Sequence, residues 1–313
     1  MKQFVLASLF AGAIAAPAMA DYTIIAPANP GGGWDQTART MQTVMQEDGI
    51  SPSVQVQNVP GAGGTIGLAQ FASQNKGNPD ALIVGGYVMV GAILTNNSPV
   101  SLKDVTPIAR LTGEYEAIVV PAASPIQDMK GLIEALKADP GAVSWAGGSA
   151  GGTDHIAVGL IAKAAGVDPT KINYIAYSGG GEALAAILGN QVTAGVSSLG
   201  EFDAQVKAGT LRLLAVSSPE RIEGADAPTL KEAGLDVELQ NWRMVAAAPG
   251  LSDEQKAKVS ADIEKMVKSE NWQKQLADKG WSDTYLSGAD FDAQLAKDEE
   301  ATAAVLKDIG LVK

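Results

Sequence analysis

Four stretches of this sequence place glycines directly after an apolar run and before a helical pattern. They are Pro30-Gly31-Gly32-Gly33-Trp34-Asp35, Gly61-Ala62-Gly63-Gly64, Gly147 to Thr153, and Gly179-Gly180-Gly181. A strand that passes through glycines into a helix leaves the first helical amides without partners. The helix dipole puts partial positive charge at the same point, which suits an anion. Converging loops of this kind would hold one carboxylate-bearing ligand. Ser149 and Thr153 add hydroxyl donors. Arg243, beside Trp242, is positioned in sequence for a bidentate carboxylate contact. Asp35, in the first turn of its helix, reads most simply as a capping carboxylate that fixes its loop. Tyr87, after Gly85-Gly86, and Ser198, after an apolar run, end their strands in the same way and join the candidates.

Two enzyme motifs compete for the same residues. Gly61 to Gly67, with Asp80 about twenty residues on, has the form of a dinucleotide fingerprint. Pro60 stiffens that turn, however, and Asp80 precedes its strand where a ribose-binding acid ends one. Gly147-Gly148-Ser149-Ala150-Gly151 matches the nucleophile elbow of α/β-hydrolases. An elbow serine takes its base from a distant loop, and the only histidine, His155, lies six residues away. His155 is either a packed structural residue or a ligand contact. One histidine and no cysteine disfavour a transition-metal site, so no metal and no cofactor are expected.

Bulk properties narrow the field further. The net charge of −12 argues against nucleic acid, whose phosphates call for Lys and Arg, and against long-range attraction of an anionic substrate. Any anion is held by local donors. The absence of cysteine excludes disulfides and thiolate chemistry. Residues 1–20 read as a signal peptide: Lys2, an apolar core from Phe4 to Ala15, and the cleavage site Ala18-Met19-Ala20. No other stretch is apolar enough to span a bilayer, so the mature chain is expected to be soluble in the periplasm.

The elements that position these loops alternate strand and helix, which argues for an α/β fold with largely parallel sheets. Trp34, Ala38, Met41 and Met45 share one helix face. Strands are predicted over 22–27, 53–59, 81–84, 105–111, 116–120, 142–146, 172–177, 192–196 and 211–216. Three helices follow residue 250, with Ser252/Gln255 as a capping box and Ser269 and Ser287 at N-cap positions. Apolar crossings near 119–122 and 245–250 divide the chain into two lobes, 21–117 plus 245–313 and 118–244. The ligand cleft falls between them, at the carboxyl ends of the strands.

Residues 26–35 (Ala-Pro-Ala-Asn-Pro-Gly-Gly-Gly-Trp-Asp) and 58–67 (Asn-Val-Pro-Gly-Ala-Gly-Gly-Thr-Ile-Gly) resemble motifs of the tripartite tricarboxylate transporter substrate-binding family, the Bug receptors. So do Gly147–His155, Tyr177–Glu182 with Gly189 to Val192, and Pro228 to Gly234. The resemblance implies a periplasmic, two-lobed, hinge-closing binding protein of type II-like fold. It would deliver an organic acid, with citrate the leading choice, to the large and small membrane subunits of a carrier. It nominates Gly31–Gly33, Gly61–Gly64, Ser149, Thr153 and Gly179–Gly181 for the ligand. Trp34 is bulkier than in many members, which bears on ligand size.

Overall fold

The computed structural model describes residues 22–177 and 180–313; the expected signal peptide and Gly179 lie outside them. The first half begins with strand β1 (Tyr22–Ala26), helix α1 (Gly33–Glu47), β2 (Val54–Asn58), α2 (Thr65–Gln74), β3 (Ala81–Gly86) and α3 (Tyr87–Thr95). Helix α1 buries Trp34, Ala38, Met41 and Met45, as the sequence period requires. Met41 and Met45 each contribute about 1.5–3 kcal/mol on burial, and the Ala38 methyl about 0.8. Strand β4 (Thr106–Pro121) leads to α4 (Met129–Ala138), β5 (Ser144–Gly147), α5 (Thr153–Ala164), β6 (Asn173–Ala176) and α6 (Gly180–Leu188). Then come β7 (Ala194–Ser198), α7 (Leu199–Lys207), β8 (Leu211–Val216) and β9 (Gln240–Ala247). The chain ends with α8 (Asp253–Val267), α9 (Glu270–Lys279), β10 (Ser282–Ser287) and α10 (Gly288–Asp308).

The strands form one path, β2-β1-β3-β9-β4-β7-β5-β6, with β8 and β10 both added on β4. Pairing is parallel only on the flanks, between β1, β2 and β3 and between β5, β6 and β7. The centre is antiparallel, because β4 and β9 run through it in opposite directions. The sheet is therefore mixed rather than largely parallel.

Strand β4 replaces the two separate strands expected over 105–111 and 116–120. Its polar middle, Thr112 to Tyr115, stays extended because β9 and β10 pair with it there. One end, Thr106–Tyr115, belongs to the first section of sheet, and Glu116–Pro121 pairs with β7 and β8 in the second. The changeover precedes Glu116, slightly before the expected boundary after 117. Strand β9 joins the first section from Gln240, earlier than the expected return at 245. The chain thus forms two lobes, with β4 and the approach to β9 as the crossings between them. Among the described residues, no helix is long and apolar enough to cross a membrane.

Candidate functional site

The glycine loops do meet. A cleft of about 590 Å³ between the two sections is lined from the first by Gly32, Gly33, Trp34, Gly61–Gly64, Asn241 and Arg243. From the second it is lined by Gly148, Ser149, Gly152, Thr153, Gly180, Ser198 and Glu201, among others. That volume lies within the ordinary range for a small-molecule site.

Helix starts give the cleft its chemistry. The N-caps of α1, α2 and α5 are Gly32, Gly64 and Gly152, which offer no side-chain acceptor to the first amides. Ser198 at the start of α7 makes no side-chain cap bond either. Three helices away from the cleft are treated differently: Asp128, Ser252 and Ser269 cap α4, α8 and α9 through their side chains, whereas the expected cap Ser287 makes no such bond to α10. Four helix starts without a side-chain cap thus meet where a ligand would sit, leaving amide donors and dipole positive ends for an anion. Gly64 is fixed in kind as well as position: its φ is +88°, and an added Cβ would lie 2.6 Å from the Trp34 ring.

Side chains behind the loops hold them in place. The Asp35 carboxylate accepts from Gly31 N (2.8 Å), Arg39 Nε (2.9 Å) and Asn58 Nδ2 (2.8 Å). Burial pushes this carboxyl up, but those hydrogen bonds outweigh burial and hold it below the usual range. Asp35 thus fixes the first loop from behind and is absent from the cleft lining. Gly31 has its amide engaged by that carboxylate, and Pro30 is exposed; neither lines the cleft. Tyr87 is buried edge-on against Trp242, and exposed Gly181 lies on α6; both are outside the lining.

His155 is a packed residue. Its ring stacks on Tyr174 at 4.0 Å between centroids, and its Nδ1 accepts from Gly151 N at 3.3 Å. Burial lowers it to about 4, so it is neutral at ordinary pH. It orients the 148–152 loop, with help from Tyr174 Oη, which donates to Gly148 O (2.8 Å). Asp154 completes that support by accepting from Gly148 N at 2.6 Å.

The site contains a group of acids that sequence reading missed. Asp154 and Glu201 line the cleft, and Glu116 and Glu114 are buried beside them. Arg243 pairs with Glu114, and the two side chains are only 5% and 7% exposed. Burial raises Asp154 to about 7, against the Gly148 hydrogen bond. Burial also raises Glu201, against its bond from Ser197 Oγ, and drives Glu116 well above its ordinary range, helped by the charges of Asp154, Glu114 and Glu201. Two further groups are buried without a hydrogen-bond partner among the described residues: Thr153 Oγ1 and Arg243 Nη1, both on residues of the cleft wall. The only sequence signal of this cluster was a carboxylate, Glu116, heading the wholly apolar run Ala117–Val120. Among the described residues, no group of three or more potential ligands is arranged to hold a metal.

Comparison with known proteins places this geometry in a family. The family model for the tripartite tricarboxylate transporter family receptor, TctC, matches residues 37–311. Protein BugT of Bordetella pertussis is 30% identical over 248 residues, covering 76% of this chain and 75% of BugT. The solved structure of the periplasmic binding protein BugD superposes with a TM-score of 0.83 at 23% identity, over 94% of this chain and 98% of that one. MatC of Rhodopseudomonas palustris, solved with malate, gives a TM-score of 0.77 at 22% identity, over 92% and 98% of the two chains. Another protein of that organism, solved with adipate, gives 0.83 at 22% identity, over 93% and 97%. The matched family is one of receptors, not enzymes, which removes the dehydrogenase and hydrolase readings of Gly61–Gly67 and Ser149. The chain belongs to the TctC receptor family of tripartite tricarboxylate transporters.

Proposed function

We propose that this chain is a periplasmic receptor for a small organic acid, a tricarboxylate such as citrate in the first instance, and that it presents the acid to the large and small membrane subunits of its carrier. Export with cleavage after Ala20 belongs to the same reading. The observation that carries it is the ring of helix starts, with glycine or uncapped serine at each N-cap, facing one cleft. Local amides and dipoles hold a carboxylate there without help from the overall charge, which is strongly negative. The malate and adipate bound by two structural neighbours support carboxylates as the class.

Gly32, Gly33, Gly61–Gly64, Ser149, Thr153, Gly180 and Ser198 are the ligand contacts in this reading. Because they come from both sections of sheet, a carboxylate touching all of them favours the closed arrangement over an open one. Calorimetric titration of the mature chain with citrate, malate and adipate tests the proposal. Saturation at a hundred times Kd should also raise stability by about 2.7 kcal/mol. Citrate without effect beside a binding dicarboxylate corrects the ligand; silence across a broad panel of acids overturns the receptor reading.

A further inference from the structure

The acids at one end of the cleft carry an inference about how it treats a second carboxyl group. Arg243 lines the cleft with Nη1 buried and unpartnered, and Thr153 Oγ1 is in the same condition. A buried donor with no acceptor costs about 1–3 kcal/mol, more when charged, and so calls for an acceptor on the ligand. Yet an anion at Arg243 enters a crowded field: Glu114 already neutralises this arginine, and Glu116, Asp154 and Glu201 stand close by. Buried carboxylates in excess of cations neutralise themselves by taking protons.

We propose that the Glu201–Asp154 end of the cleft is a second carboxyl subsite, where Arg243 Nη1 donates to the far carboxylate of a di- or tricarboxylate and a proton taken up from solvent is shared between that carboxylate and the two cleft acids. This rests on the organic-acid reading above and adds a stoichiometry to it: one proton enters from solvent with each ligand. Among the described residues, the nearest further cation across Arg243 and Glu201 is Lys279, whose Nζ lies over the Trp281 ring that Arg243 also faces. Asp154 faces Gly148 N, Tyr174 from β6 and Glu116 from β4, and neighbouring His155 is neutral. Glu201 faces Ser197 Oγ (2.5 Å), Glu114 and Arg243. Lys207, farther along α7, is held by Asp203 at 2.7 Å. On the other side of Arg243 and Glu201, a second cavity of about 530 Å³ shares these two residues and Gly33 as its partition.

The test is titration calorimetry of the mature chain with succinate, citrate and butyrate at pH 7.5, in two buffers of different ionisation enthalpy. Succinate and citrate should take up about one proton each, and their affinities should fall about tenfold per pH unit towards pH 9. Butyrate should do neither. Glu201→Gln and Asp154→Asn should each reduce the uptake and flatten that slope. If one variant fails to fold, the other and the wild-type proton count decide. Diacid binding with no proton uptake, or uptake unchanged in both variants, overturns the subsite. Butyrate binding as tightly as succinate overturns it while leaving the organic-acid receptor intact. An amino acid such as alanine binding more tightly than any of these, without a proton, would assign the acids to an ammonium group and also overturn it. No binding by any of the acids overturns both proposals.

Discussion

Thr153 is the residue whose environment asks most plainly for a ligand. It opens α5, is fully buried, and its hydroxyl has no partner among the described residues. Thr153→Val keeps the shape and removes the hydroxyl, so acid affinity should drop about tenfold while stability holds or rises, because an unsatisfied buried group has gone. Unchanged affinity in a calorimetric titration would remove Thr153 from the site. Asp154, next in the chain, makes a prediction about the empty protein. Its carboxyl is raised to about 7 from an ordinary 3.8, so the folded chain holds a proton that the unfolded chain has lost. Stability then falls as pH rises through that window, by on the order of 4 kcal/mol in all. His155 acts in the opposite sense: lowered to about 4 from 6.5, its contribution is present above 6.5 and lost as pH falls toward 4. Between about pH 6.5 and 7.5 the last of that contribution offsets only part of the Asp154 effect, and above about pH 7.5 the imidazole is neutral in both states. Melting temperature without ligand should therefore decline from pH 6.5 to 8, and Asp154→Asn should remove part of the decline. A variant with the wild-type slope would show that the proton resides elsewhere.

At the scale of elements, the helix starts that line the cleft lack side-chain caps, while α4, α8 and α9 away from it have them, α10 being the exception. Gly32 has φ −72° and ψ 167°, a conformation open to any residue, and an added Cβ comes no nearer than 3.4 Å to a neighbour. Gly32→Asp should therefore cap α1 with its own carboxylate and leave stability equal or a few tenths of a kcal/mol higher. The same carboxylate would occupy the place proposed for the ligand's, so affinity should fall by about two orders of magnitude. Retained affinity in titrations would separate α1 from anion binding. Much of this level is legible in sequence, since the α1 stripe, the Ser252/Gln255 capping box, the Ser269 cap and the glycine breaks are local patterns. Other features have no local signal. Helix α3 is apolar on nearly every side, which erases the 3.6-residue period. Strand β10 is polar and owes its extension to pairing with β4. The acid cluster assembles from β4, α5 and α7, elements far apart in the chain, so each acid alone resembles an ordinary surface charge.

Across the whole molecule, the two sections touch where α10 packs on α5 and where α3 meets the 149–152 loop, and at Gly91 there is no room for a side chain. An added Cβ there would lie 2.0 Å from Gly151 O, and one at Gly151 would lie 2.4 Å from Thr95 Cγ2. On helix propensity alone, Gly91→Ala should stabilise α3 by about 0.5–1 kcal/mol, because alanine loses less backbone freedom on folding. The contact argues the other way, since a backbone carbonyl cannot yield as a flexible side chain does. The methyl should prop the loop away from α3 and draw the Ser149 and Thr153 donors back from those at Gly61–Gly64. Closure and affinity then suffer together, and by more than a local helix effect explains. X-ray scattering of the variant with saturating acid should give a larger radius than the wild type under the same conditions, with affinity at least tenfold weaker. A variant that melts higher, binds as tightly and scatters identically would mean that the α3 contact plays no part in closure. The cleft would then depend on β4, the approach to β9 and the packing of α10 on α5 for its geometry.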